Sequence, residues 1–429
     1  MTSIPEAARE GVPRVRGVAR WLSIGGFSVL DQGLYAGTGF VMSVMLARWL
    51  SSSEFGAFAI AFAVLTLVVT LHAAAVTEPL GVFGPGKYAG SFRPYVRFVA
   101  VAQAVLAVAA AGVVALVGVA LDVAGQTAIA HALFGLAVAL PPILLLWLAR
   151  RVYYARFSPQ WAAVGGAVYA LLALPAIVLL HNADRLSPAT AFVTAGAASF
   201  VVGVGLLVRL RIHLPGATDE VDKHRAVLAD HARYARWGLA AALTVWFSGY
   251  IQYFVLGPVG FDQVGAMRVL DTVLLPYYQF LAAMSAFLLP AFAVRLEGDR
   301  RGARSFVGAT AGALLALAGV VCVLLAFGGE SLMSMLYGST YAEYEHLLPW
   351  YALILLPETL AVVMLCIRRA QVRTHLVFVF SIVFAATLLA AAVVGSHWGV
   401  SGVVAARVAV SFVVVGCFVA VSVRRWAAQ

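Results

Sequence analysis

Twelve apolar runs, each close to or above the roughly 20 residues that cross about 30 Å of hydrocarbon, succeed one another along this chain. They lie at 22–46, 56–78, 96–120, 126–148, 160–180, 189–208, 237–256, 266–292, 305–327, 347–367, 375–394 and 400–423. No soluble architecture accommodates such a series. Of the 429 residues, 63% are hydrophobic and 11% charged, whereas an ordinary soluble domain carries about 25% charged residues. Too few charges remain to clothe several water-soluble domains. The sequence therefore predicts an all-α integral membrane protein with twelve transmembrane helices. The basic stretch before the first run resembles the start of a signal peptide, but that run is too long and further spans follow. An uncleaved first helix is expected.

The arrangement of charge sets the orientation. The formal net charge is +10, and its carriers alternate. Arg9, Arg14, Arg16 and Arg20 precede the first run, and Lys87, Arg93 and Arg97 lie at the second connection. The fourth carries Arg150, Arg151 and Arg156, and the sixth Arg209, Arg211, Lys223, Arg225, Arg233 and Arg236. Arg295, Arg300, Arg301 and Arg304 follow at the eighth, Arg368, Arg369 and Arg373 at the tenth, and Arg424 and Arg425 at the end. The opposite connections hold only Arg48 and Arg185. Basic residues mark the cytoplasmic side, so both termini are expected there. A basic collar at the phospholipid surface accounts for the charge, and nucleic acid is not an expected partner.

The longest polar connection divides the runs six and six. The expected organisation is a basic tail (1–21), an N-terminal lobe (22–208), a cytoplasmic linker (209–236), a C-terminal lobe (237–424) and a short tail (425–429). The halves echo each other. "SSSEFGAFAIAF" (51–62) and "GFDQVGAMRVLD" (260–271) both place a Gly-Ala pair inside the helix that follows. "LPPILLLWLARRVYYAR" (140–156) and "LPETLAVVMLCIRRAQVR" (356–373) both carry a proline, an aliphatic run and an Arg-Arg pair. Two six-helix bundles in the same orientation are the parallel-repeat plan of transporters.

Ionisable groups inside the runs are the candidate functional residues, because each costs about 2.5–3.5 kcal/mol at mid-bilayer and normally faces protein or a water-filled cavity. Asp31 lies about 14 Å from the cytoplasmic end of its helix at 1.5 Å per residue. It shares a face with Tyr35, Thr38 and Met42, beside a Gly33/Gly37 pair where another helix can approach. Arg268, Asp271, Leu275 and Tyr278 make a stripe in the eighth run, where Arg268 and Asp271 have the spacing of a local ion pair. Glu358 follows Pro357 in the tenth, Arg407 is about two turns into the twelfth, and His72 lies deep in the second. Asp31 and Glu358 are expected to line a polar path. Arg268, Asp271 and Glu78 suit a helix-bridging role equally, and His72 suits one better than a transport role. Lys87, Arg93, Arg97 and Arg150 are expected to form a cytoplasmic rim.

Several chemistries are excluded. "GVFGPGKY" (81–88) spells the core of a phosphate-binding loop, but Tyr88 stands where Ser or Thr would hold magnesium, and no strand precedes it. Cys322, Cys366 and Cys417 lack disulfide or metal-ligand spacing, so no metal or cofactor is expected. The non-cytoplasmic connections are short, which argues against an enzyme with an outer catalytic domain.

The stretch "LDQGLYAGTGFVMSVMLARWLSSSEFGAFAIAFAV" (30–64) resembles the opening of bacterial O-antigen and exopolysaccharide flippases, through Ala47, Arg48, Trp49, Leu50, Glu54, Phe55 and Gly56. These flippases belong to the multidrug/oligosaccharidyl-lipid/polysaccharide exporter (MOP) superfamily. "RRVYYARFSPQWAAVGGAVYAL" (150–171) is similar to the connection between that family's fourth and fifth helices. The resemblance implies a MATE-like fold and alternating access. It also implies a substrate, an oligosaccharide on a polyprenyl diphosphate, with polysaccharide polymerase and glycosyltransferases as partners. Two phosphates favour arginine as a bidentate partner, yet only Arg268 and Arg407 lie beyond the first residues of a run. A cation-coupled multidrug exporter of the same superfamily fits Asp31 equally, and a non-transporting scaffold is the third class.

Overall fold

The structure is a computed structural model describing residues 18–210, 221–297, 300–371 and 374–427. Arg9, Arg14, Arg16, Arg211 and Arg373 lie outside the described residues, as do the side chains of Arg20, Lys223, Arg300, Arg301, Arg304, Arg424 and Arg425.

The chain is all-helical. The helices are α1 (Val18–Trp49), α2 (Ser52–His72), α3 (Glu78–Phe83), α4 (Phe92–Val123), α5 (Thr127–Ala155), α6 (Pro159–Asn182) and α7 (Pro188–Arg209). They continue as α8 (Val221–Leu256), α9 (Phe261–Glu297), α10 (Arg300–Tyr337), α11 (Leu347–Ala352), α12 (Leu355–Ala370), α13 (Thr374–Gly395) and α14 (Gly399–Ala427). A π-helical turn, Ala73–Thr77, joins α2 to α3. Ten segments of the described residues are long and apolar enough to cross a membrane, and one of them, His375–Val421, holds both α13 and α14. Together with α1, they account for the twelve runs read from the sequence. Apolar side chains face outward on them: Phe327 is 89% exposed and Leu171 73%. Such residues are at home in lipid and out of place in water.

Two compact units emerge. Unit 1 takes the chain up to Met42 and Ala61–Leu243, and unit 2 takes Ser43–Ile60 and the chain from Thr244. In unit 1, α5 is the most enclosed segment, flanked by α4, α6 and α7. Its approach to α7 depends on missing side chains. A Cβ at Gly196 would lie 2.8 Å from the Ala139 Cα, and one at Gly203 would lie 3.2 Å from the Leu146 nitrogen. Without a hydrophobic drive between helices in lipid, such close backbone contact carries the packing. Ser187 starts α7 with a capping box, its Oγ accepting from Thr190 N (3.2 Å) while Thr190 Oγ1 accepts from Ser187 N (2.8 Å).

In unit 2, α12 is covered by α9, α10 and α14. The α1–α2 turn belongs here. Ser51 and Glu54 form a second capping box: Glu54 Oε2 accepts from Ser51 N (3.0 Å), and Ser51 Oγ accepts from Glu54 N (3.3 Å). Arg48 donates to the Met335 carbonyl at 3.0 Å. The two Gly-Ala echoes then meet one another. A Cβ on Gly56 would collide with the Phe261 carbonyl, and one on Gly265 would lie 2.6 Å from the Ser52 carbonyl. Ser52 and Phe261 each stand four residues before their half's glycine. The contact is therefore reciprocal, as a two-fold relation between repeated segments requires.

Gly56→Ala and Gly265→Ala should each lower stability by about 1–3 kcal/mol through overpacking. Gly308→Ala and Gly312→Ala, where nothing lies within 4 Å of the added Cβ, should leave it nearly unchanged. Thermal melting of the detergent-solubilised protein measures both.

Candidate functional site

Each unit encloses a charged network at membrane depth. In unit 1, Asp31 is 0% exposed and receives a forked guanidinium. Arg150 Nε lies 3.2 Å from Asp31 Oδ1 and Arg150 Nη2 lies 2.8 Å from Asp31 Oδ2. The Tyr154 hydroxyl adds a third donor at 2.6 Å. The guanidinium also sits 4.4 Å from the Tyr35 ring centre and 5.6 Å from that of Trp147. Trp147 Nε1 donates to the Tyr35 hydroxyl at 3.0 Å, and Tyr35 stacks on Tyr169 at 5.5 Å. Trp147, Arg150 and Tyr154 are three and four residues apart on α5, so one helical face presents all three. Thr38 is buried and bonds back to the Leu34 carbonyl at 2.6 Å.

The Asp31 face therefore turns into the packed interior of unit 1. Arg150, expected on the cytoplasmic rim with Lys87, Arg93 and Arg97, is 4% exposed and serves as the counter-ion of Asp31. It lies at the end of an apolar run, so hydropathy alone sets it at the rim, whereas the length of an arginine stem lets the guanidinium reach inward. Arg93 stays exposed and Arg97 is partly buried.

In unit 2, Asp271 is the hub. Its Oδ1 accepts from the Tyr351 hydroxyl (2.6 Å) and from Arg407 Nη1 (3.5 Å). Its Oδ2 accepts from the Tyr253 hydroxyl (2.6 Å) and from Gln252 Nε2 (3.4 Å). Arg407 is 7% exposed. Its charge acts on Glu358, beside which lies the Tyr278 hydroxyl, and Arg268 brings a further positive charge next to Asp271 and Tyr253. Arg268, Asp271, Glu358 and Arg407, scattered over three of the predicted runs, thus gather in one cluster. The two carboxylates are balanced by two guanidinium groups. Tyr35 and Tyr278 stood in the expected stripes, whereas Tyr154, Tyr253 and Tyr351, which complete the two networks, were not among the expected residues. Tyr154 carried a usable signal, being four residues after Arg150, whereas Tyr253 and Tyr351 carried none.

His72 is 7% exposed, with the Gln103 side chain as the polar group beside it. It stands apart from both networks, directly before the π-helical turn. Glu78 is exposed. The Gly-Lys stretch of residues 81–88 forms the end of α3 and the turn after it, and Lys87 Nζ pairs with Asp230 Oδ2 at 2.6 Å.

That pair belongs to a third cluster of unit 1, centred on the connection between the apolar segments Ser52–Phe83 and Ala89–Val123. The first part of α8, within the expected linker, docks there. Asp230 also accepts from the Tyr88 hydroxyl at 2.6 Å. His231 lies between the Tyr95 hydroxyl (2.8 Å from Nε2) and the Ala75 carbonyl (3.1 Å from Nδ1). Pro79 explains the latter, since proline has no N–H for the carbonyl four residues before it. Burial pushes Asp230 up, but the Lys87 and Tyr88 hydrogen bonds and the Lys87 and Arg233 charges outweigh it and hold the carboxyl below its ordinary range. Burial draws the His231 ring below its ordinary value, offset in part by Ala75 and Asp230. Burial and Asp230 push Tyr88 up to about 12.

No protein-family model matches the sequence, and no curated protein does at a significant level. Solved structures do match in fold. An inward-facing multidrug resistance MATE family transporter of the MOP superfamily superposes with a TM-score of 0.70 at 12% identity, covering 94% of this chain and 98% of its own. A MOP superfamily transporter from Pyrococcus furiosus, described as having a binding pocket of reversed polarity, gives 0.62 at 12% identity, over 100% and 99%. The Vibrio cholerae MATE transporter VcmN gives 0.58 at 14% identity, over 95% and 99%. The chain has the MATE transporter fold over nearly its whole length.

Arg150→Ala should cost about 3–5 kcal/mol by stranding a buried carboxylate, and Tyr154→Phe about 1.5–3 kcal/mol by removing a bond to a charged group, both read by thermal melting. The α8 clasp should respond to pH. His231 has a lowered value when folded, so its contribution is complete above 6.5 and is lost as pH falls below 6.5. The depressed Asp230 value places its loss lower, below the ordinary carboxylate value of 3.8. Hydrogen-exchange protection of residues 224–236 should therefore fall on mild acidification, and His231→Leu should remove that first step.

Proposed function

We propose that this chain is an alternating-access transporter in a bacterial cytoplasmic membrane, with both termini on the cytoplasmic side. Its proposed task is the export of an amphiphilic molecule, coupled to a proton or sodium gradient. The fold of known multidrug transporters supports the reading. The observation that carries it is the unit 2 cluster of Asp271, Glu358, Arg268 and Arg407. Four ionisable groups in a membrane interior are expensive, and a passive helix bundle has no need of them. Asp271 has four donors around its two oxygens, so Glu358, which shares Arg407 with it, is the carboxylate we assign to ion coupling.

A second reading, a flippase for polyprenyl-diphosphate-linked oligosaccharides, is favoured by one observation. Guanidinium groups buried at membrane depth, Arg150 and Arg407 among them, suit a diphosphate. The sequence likeness around residues 47–56 adds less than its length suggests. Arg48, Glu54 and Gly56 there perform a carbonyl contact, a helix cap and a close helix crossing, which are tasks of the fold.

Proteoliposomes should decide between them. An imposed proton or sodium gradient should drive accumulation of a fluorescent cationic dye, and Glu358→Gln should reduce the rate at least about tenfold, the loss of a single transition-state or coupling interaction of about 1.4 kcal/mol. If no dye moves, but the gene restores surface polysaccharide to a strain lacking its own flippase, the second reading replaces the first.

A further inference from the structure

Two arginines at one end of unit 1 have no acid to meet. Arg156 caps the C-terminus of α5 and Arg209 ends α7, and both are exposed. The two arginines before them on α5 are engaged, Arg150 with Asp31 and Arg151 with the Thr77 carbonyl at 2.9 Å. Arg156 and Arg209 instead have no carboxylate partner among the described residues. Their charges both act on the Tyr153 hydroxyl, and no acidic group among the described residues adds to them there. Tyr153 donates to the Leu206 carbonyl at 3.1 Å. That bond draws the end of α5 to the end of α7 and sets the two guanidinium groups in one neighbourhood.

The Arg209 guanidinium is also held from one side. Its carbon lies 3.3 Å from the centre of the Trp161 ring, a stacking contact that covers one face of the group. Its N–H donors lie in its own plane and stay available. A planar fork of this kind suits a phosphate, which accepts two parallel bonds. The indole restrains a long, flexible side chain in advance, and so lowers the ordering cost of binding.

Beyond this polar end the surface is apolar. The helices α6 and α7 meet at Gly165, where an added Cβ would lie 3.0 Å from Leu206 Cδ1 and 3.2 Å from Val202 Cγ1. At about 100° per residue from that contact, Trp161, Val164 and Leu171 on α6 fall to one side of the seam. Val201, Val208 and Arg209 on antiparallel α7 fall to the same side. Val164 and Leu171 are 49% and 73% exposed, and Val201 and Val208 57% and 66%. A pair of cations therefore stands at the head of two neighbouring apolar strips.

We propose that this end of the α6–α7 seam binds an anionic phospholipid, with its phosphate between the Arg156 and Arg209 guanidinium groups and its acyl chains along the strips. A zwitterionic lipid brings an ammonium as well, which two arginines without a carboxylate repel. The inference rests on the chain spanning a bilayer and not on what it transports, so its failure leaves the transport reading untouched.

The test is native mass spectrometry of the full-length protein in detergent, titrated with phosphatidylglycerol and with phosphatidylcholine of the same chains. The intact protein should hold one phosphatidylglycerol at least about tenfold more tightly than phosphatidylcholine, as two arginines beside one anionic headgroup allow. Arg156→Gln combined with Arg209→Gln should abolish that preference, and each change alone should remove part of it. Trp161→Leu should weaken it, whereas Trp161→Phe, which keeps a ring face, should retain most of it. Both arginines are exposed, so their variants should melt as the intact protein does without added lipid. Arg93→Gln with Arg225→Gln removes the same charge at two other exposed positions and should leave the preference in place. Three results overturn the proposal. One is a preference that survives in the Arg156/Arg209 variant, and another is an equal loss in the Arg93/Arg225 variant. The third is displacement of the lipid by millimolar inorganic phosphate, which would make this a site for the free anion.

Discussion

Hydrocarbon offers no water to a charged group, and the meeting of Asp31 with Arg150 follows from that constraint. The pair ties α1 to α5 within the interior of unit 1, and the aromatic residues around it are arranged by the guanidinium as much as by apolar packing. Unit 2 repeats the solution with different parts. Asp271 on α9 draws donors from α8, α11 and α14, so helices distant in sequence are joined at one carboxylate. Removing the anion in either place would leave an unpaired guanidinium in a medium that cannot solvate it. The helix bundle and its charges are therefore one structure, and neither can be varied freely without the other.

Where charge is absent, close backbone contact takes over. Lipid tails are as apolar as leucine, so helices gain little by burying leucine against one another. The α5–α7 seam and the reciprocal crossing at Gly56 and Gly265 rely on glycine for that reason. The crossing also gives physical content to the weak sequence echo between the halves, because equivalent residues occupy equivalent places in a single contact. It further explains why the residues most suggestive of a polysaccharide flippase say little about a substrate.

The two networks differ in what they leave available. In unit 1 the carboxylate and guanidinium satisfy each other as a closed pair. In unit 2 Arg407 acts on both carboxylates while Arg268 lies beside Asp271, so a change at Glu358 alters the balance around Asp271. An ion-coupled transporter needs such an adjustable group and gains nothing from a permanently saturated one. The clasp of Asp230 and His231 lies outside both and titrates on its own terms.

The sequence by itself determined the class, the helical content and the approximate place of each membrane run, because hydropathy over about 20 residues reports transfer into the bilayer directly. It also singled out Asp31, Asp271, Glu358, Arg268 and Arg407, since any ionisable group in such a run is exceptional. It did not determine partners. Arg268 and Asp271 have helical spacing for a local pair, yet Asp271 is met by a tyrosine eighty residues away in sequence and by Arg407. Arg150 lies at the edge of its run and was expected at the surface. Only the tertiary structure decided these matters. Pairing depends on which helix faces cross, and a flexible arginine stem carries its charge several ångströms from the position its backbone suggests.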